Sequence, residues 1–231
     1  MKYFSHSLQV VALLVFLFWS TATAAAAVSF TGTLLNIEID TGLSSYSGIG
    51  AGESFSGTFF YGDSSAEAGN IVTAPPFSAD YRFTAPAFGG TLTVGGGVTS
   101  ATESELGIGN DDDMGDDAVV LNKLYGAGAT TAVTLADTWS VSATGNNRLF
   151  GIALYSLDTS LFPDTGFQAI PPALQAMDFT LFFLAEMNAA GTPIYIATGK
   201  VTTLSPVPVP AAVYLFITGG IGLLTVARLK N

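Results

Sequence analysis

The seven residues from Asp111 to Asp117, Asp-Asp-Asp-Met-Gly-Asp-Asp, carry five carboxylates, the densest chemistry-bearing cluster in the chain. Asp111, Asp113, Asp116 and Asp117 are candidate calcium ligands. Calcium takes six to eight hard oxygens, and Gly115 permits the tight turn that would gather them. Five like charges repel one another, and a bound cation would relieve that repulsion. Asp111-x-Asp113-x-Gly115 matches the start of an EF-hand loop, but the third ligand before the glycine is missing. Asn122 also stands where such a loop ends in glutamate, so the run is not an EF-hand. The alternative reading is a solvated acidic loop.

Two further carboxylate sets have the residue type for glycoside cleavage, which needs an acid and a second carboxylate across the scissile bond. Glu103 and Glu105 are neighbours in sequence, and Glu53 and Glu186 fall near expected strand ends. Nothing in the residues around them marks an acid in an apolar pocket, so no catalytic residue is assigned. The chain has no cysteine, and its only histidine is His6. Thiolate metal sites, cysteine nucleophiles and a Ser-His-Asp triad in the body are therefore excluded. The segment Gly89–Gly97, GGTLTVGGG, lacks the Gly-Lys-Ser/Thr of a phosphate loop. Between residues 27 and 206 there are four basic and eighteen acidic residues, a net charge of −14. Such a surface repels nucleic acid and anionic lipid and accepts cations.

The elements that must position these residues are strands. Glycine, threonine and aromatic residues dominate, and no long amphipathic helix is evident. Strand-like stretches fall at Val28–Ile39, Phe55–Tyr61, Ala79–Thr84, Gly90–Val94, Ala118–Leu124, Val133–Ser142, Leu149–Leu157, Phe179–Glu186 and Ile194–Leu204. AGTP at Ala190–Pro193 reads as a turn, Pro163 to Pro172 as a loop, and ALQAMDF after it as a short helical turn. Roughly nine strands joined by turns predict an all-β body over residues 27–204: an antiparallel β-sandwich, jelly-roll-like or Ig-like. Phe30, Phe59, Phe83, Trp139, Phe150, Phe179 and Phe183 are its expected core. Tyr46, Tyr61, Tyr81, Tyr125 and Tyr155 are the aromatics that an exposed glycan-binding face would use, with core or turn roles as the other reading.

Both ends read as addresses. Residues 1–26 open with Lys2, continue with an apolar core from Leu8 to Trp19 and close on small residues, the pattern of a secretory signal peptide. Cleavage is expected among Ala24, Ala25, Ala26 and Ala27. At the other end, Ala211 to Ala227 is a 17-residue stretch without charge, followed by Arg228 and Lys230. As a helix it would span ~25 Å, close to the ~30 Å of a hydrocarbon core. The basic stop predicts a cytoplasmic tail and a body facing outward. Pro208 and Pro210 hold an extended segment just before it.

Val207-Pro208-Val209-Pro210-Ala211, the apolar span and Arg228-Leu229-Lys230 together resemble the PEP-CTERM sorting signal in its VPLPA-type variant, with Val209 as the departure from the motif. Within the body, GESFSGTFFYGDSS at Gly52–Ser65 is similar to an early phrase of such proteins, with Asp63 displaced by the inserted Gly62. GIGNDDDMGDDAVVL and PPALQAMDFTLFF are similar to later phrases. The resemblance implies an exported, β-rich protein of a Gram-negative, exopolysaccharide-producing cell. It also implies a tail read by an exosortase, an integral membrane enzyme. The expected role is that of a structural or interaction protein of the envelope or extracellular matrix, without enzymatic activity. The other readings are a carbohydrate-binding module and a secreted glycosidase using two carboxylates.

Overall fold

The computed structural model describes residues 26–62, 71–74, 78–84, 88–131, 134–162, 166–168 and 170–207. Eleven strands carry the fold: β1 (Ala26–Asp40), β2 (Ser54–Tyr61), β3 (Ile71–Ala74), β4 (Ser78–Phe83), β5 (Gly89–Val94), β6 (Gly97–Ala101), β7 (Glu103–Asp113), β8 (Leu135–Gly145), β9 (Arg148–Ser156), β10 (Phe179–Met187) and β11 (Pro193–Pro206). Among the described residues there is one α-helix, α1 (Asp117–Tyr125), and a 3-10 turn at Leu174–Ala176.

The strands form one antiparallel sheet in the order β3-β4-β7-β8-β9-β10-β11-β1-β2-β5-β6. The expected all-β, antiparallel body is thus present, as a single continuous sheet. The long strands β1 and β11 cross the middle with three register shifts, at Thr31/Gly32, Leu34/Asn36 and Ile37/Ile39. Such bulges bend a sheet and deepen its twist. The sheet therefore curls until its flanks face each other. Side chains of strands far apart in the order meet across the interior: Phe55 of β2 stacks on Phe182 of β10 at 3.8 Å, Phe59 on Phe150 of β9 at 5.6 Å, and Tyr61 meets Trp139 of β8 edge-on at 6.4 Å. Phe30, Phe59, Phe83, Trp139, Phe150 and Phe182 are at most 1% exposed. Each such side chain contributes ~1.5–3 kcal/mol by leaving water.

Two glycines let the rings lie against the backbone. A Cβ on Gly57 would stand 2.3 Å from the Thr91 carbonyl oxygen and 2.5 Å from the Phe30 ring. At Gly32 it would stand 2.1 Å from the Lys200 carbonyl oxygen and 2.3 Å from the Phe55 ring. Asn146 and Asn147, with φ of 52° and 61°, make the tight turn from β8 to β9, and Gly95 and Gly96 make that from β5 to β6.

Of the expected strands, Ala118–Leu124 is corrected to helix α1. Asp117 lies in its first turn and Lys123 in its last, matching the helix dipole, and Gly126 closes it with φ 108°. Ala118, Leu121 and Leu124 share its buried side, a helical rather than an alternating spacing. They pack on Ala153, Tyr155, Phe179 and Leu181, so α1 covers part of the outer face of the sheet. Phe183 is corrected from core to outer face: it alternates with Phe182, which is the buried one. Strands β3, β6 and β7 have no counterpart in the expected set. Residues 1–25 and 208–231 lie outside the described residues. So do the signal core, Ala24, Ala25, Pro208, Val209, Pro210, Ala211, Arg228, Lys230 and the apolar run 211–227. Ala26 and Ala27 begin β1, and the amide of Val207 donates to the Ala27 carbonyl at 2.8 Å. No helix among the described residues is long and apolar enough to cross a membrane.

Candidate functional site

The outer face of β4-β7-β8-β9-β10 is a trough whose composition follows from strand alternation. In β8 the inward residues Trp139, Val141 and Ala143 are fully buried, and the outward residues are Thr138, Ser140, Ser142 and Thr144. Register sets three cross-strand rows through the latter: Ser78–Gly109–Thr138–Tyr155–Phe179, Asp80–Gly107–Ser140–Ala153–Leu181, and Arg82–Glu105–Ser142–Gly151–Phe183. The strands flanking the β8 hydroxyls thus carry mostly glycine or alanine, and the tall side chains stand at the margins. Two depressions, of about 360 Å3 and about 500 Å3, both have Phe183 in their walls.

One margin is charged. Arg82 pairs with Glu105 at 2.6 Å, and Glu103 stands two residues before it on the same face. A Cβ on Gly107 would lie 3.1 Å from Asp80 Oδ1, so the Asp80 carboxylate leans over that glycine. The other margin is apolar, made by Phe183, with Leu181 buried beside it under α1. A Cβ on Gly151 would lie 2.4 Å from Phe183 Cζ, so the Phe183 ring reaches across β9 toward Ser142. At one end Met114 and Asp117 close the trough, and the Tyr155 hydroxyl donates to the Asp117 carboxylate.

The acidic run is not one loop. Asp111 closes a bulge in β7 with φ 52°, Gly115 turns the chain, and Asp116 and Asp117 start α1. The buried carboxylate of Asp137 holds this corner, accepting from the amides of Asp111 at 3.1 Å and Phe162 at 2.7 Å. The side chain of Asp113 lies outside the described residues. Among the described residues no group of three or more carboxylates or histidines is placed to hold a metal.

Glu186 is engaged elsewhere. Its carboxylate accepts from Ser44 Oγ at 2.6 Å, the Ser45 amide at 2.9 Å and Ser45 Oγ at 3.0 Å, and pairs with Arg148 at 3.2 Å. Burial pushes its pKa up, but these bonds together outweigh that and hold it below the ordinary value. They tie down the loop between β1 and β2, whose Tyr46 enters the interior and bonds Thr99 at 2.5 Å. The five tyrosines do not form an exposed row: Tyr46, Tyr61 and Tyr155 are buried, and Tyr81 and Tyr125 are half-buried.

No family model, curated protein or solved structure matches the chain. The trough itself was missed by sequence reasoning, although the outward hydroxyls stand in plain alternation in Thr138-Trp-Ser-Val-Ser-Ala-Thr144.

Proposed function

We propose that this is an exported structural or interaction protein of the Gram-negative cell envelope or exopolysaccharide matrix. It is held briefly in the inner membrane by its C-terminal segment and then released by an exosortase-type membrane enzyme. The observation that carries this reading is the ensemble at the C-terminus: Val207-Pro208-Val209-Pro210-Ala211, an uncharged run to Ala227, then Arg228 and Lys230. The apolar N-terminal segment supports it. So does a body of curled sheet with both of its ends, Ala26 and Val207, joined at one place by the Val207–Ala27 hydrogen bond. In this reading the facing halves of the sheet serve as the two layers of a jelly-roll-like or Ig-like sandwich. The reading assigns no enzymatic role, and Glu186 serves in it as an anchor for the β1–β2 loop through Ser44, Ser45 and Arg148.

Intact-mass measurement of the protein from medium and membranes tests the reading. Material outside the cell should lack the residues beyond about Ala211 and those before the Ala24–Ala27 region. Extracellular protein that still ends at Asn231 would overturn it.

A further inference from the structure

The trough on β4-β7-β8-β9-β10 combines three chemistries in parallel lines. Its floor is the outward edge of β8, with Thr138, Ser140, Ser142 and Thr144 repeating every second residue. At ~3.3 Å per residue that line is ~20 Å long. Among the described residues none of the four hydroxyls is engaged in a side-chain hydrogen bond. One margin carries the carboxylates of Glu103 and Glu105, and the other the half-buried ring of Phe183.

We propose that this trough binds an extended, uncharged β-linked glycan chain. A pyranose ring has a C–H face that suits an aromatic ring and an equatorial rim of hydroxyls that suits carboxylates and serines. A chain of such rings meets both margins at once. Nucleic acid and anionic polysaccharide do not fit, because the lining carboxylates outnumber a single arginine that is already paired with Glu105. A peptide joining as an added strand would need free backbone groups at a sheet edge. Strands β4, β7, β8, β9 and β10 are all paired on both sides, so they offer none. This inference deepens the extracellular interaction role and rests on it for its biological setting, but the binding itself is measurable without export.

The test is calorimetric titration of the full chain, in a detergent without a sugar headgroup, with cellohexaose, mannohexaose and xylohexaose. Polylysine and alginate are the contrasts. At least one neutral hexasaccharide should bind. Phe183→Ala should weaken it about tenfold, as loss of one stacked ring implies. Ser140→Leu, which fills the floor, should abolish it, and Ser56→Leu on β2 should leave it unchanged. Melting curves identify any variant that has lost its fold, and the other trough variant then decides. Absence of binding to all three hexasaccharides overturns the proposal, as does binding that survives both trough substitutions, or binding of polylysine or alginate alone. Failure here with a correctly trimmed extracellular protein leaves the sorting reading standing. Glycan binding by a chain that keeps its tail outside the cell does the reverse.

Discussion

Asp137 has no solvent exposure, and its carboxylate is answered by two backbone amides, those of Asp111 and Phe162. Replacing it by alanine strands both donors, each at a cost of ~1–3 kcal/mol. Asp137→Ala should therefore lower stability by about 3 kcal/mol, and Asp137→Asn, which keeps one acceptor, by less; thermal melting of the full chain reads both. Glu186 gives a pH signature instead. Its folded pKa lies below the ordinary 4.5. Its contribution is thus fully present above the unfolded value and is lost as pH falls through the folded one. The difference in urea midpoint between the native chain and Glu186→Gln should be constant from neutral pH to about pH 5 and shrink below it. A difference that stays constant to pH 2.5 would show that the Ser44, Ser45 and Arg148 bonds do not act through ionisation. Comparing the two proteins cancels the other carboxylates.

At the scale of elements, β2 depends on a residue without a side chain. A Cβ on Gly57 would meet the carbonyl oxygen of Thr91 on β5 and the Phe30 ring at once. The carbonyl belongs to a ladder and cannot move away, so the strand pair must open. Gly57→Ala should cost at least ~3 kcal/mol, the upper range of overpacking, or prevent folding. A soluble variant with an unchanged melting temperature would show that β2 and β5 yield easily. Helix α1 offers a milder comparison. Leu121 is fully buried against the outer face, and Leu121→Ala should cost ~2–5 kcal/mol while leaving the curled sheet intact by circular dichroism.

At the scale of the molecule, a net charge of −14 on residues 27–206 opposes compactness through self-repulsion. Sodium chloride should raise the melting temperature as it shortens the screening length from ~30 Å at 0.01 M to ~8 Å at 0.15 M. That screening sets the baseline for the calcium proposal at Asp111, Asp113, Asp116 and Asp117. A specifically bound ion at a hundredfold excess over its Kd adds ~2.7 kcal/mol, a rise of ~5–10 °C for a chain of this size. The proposal requires that rise over EDTA at matched ionic strength, and its loss in an Asp111→Asn, Asp113→Asn variant. Equal melting temperatures would leave the corner to Asp137 and the Tyr155–Asp117 bond.

The β class and the positions of most strands were legible from local residue pattern. Strand alternation and the turn at Ala190–Pro193 between β10 and β11 are local signals, readable without knowing what lies opposite. The sequence also shows which residues are available for chemistry, because the absence of cysteine and of histidine beyond His6 is a matter of composition. It did not determine β7, whose glycines and carboxylates have poor strand propensity and are held by pairing on both sides with β4 and β8. Nor did it distinguish α1 from a strand, since Ala118-Val-Val-Leu121 fits either until an outer sheet face is present to bury one helical side. Phe182 and Phe183 are adjacent and alike, and only the register of β10 against β9 and β11 decides which of them enters the core. The trough was beyond reach for the same reason. Ser140, Gly107, Gly151 and Phe183 are distant in the chain, and only the order in which the strands pair across the curled sheet brings them onto one face.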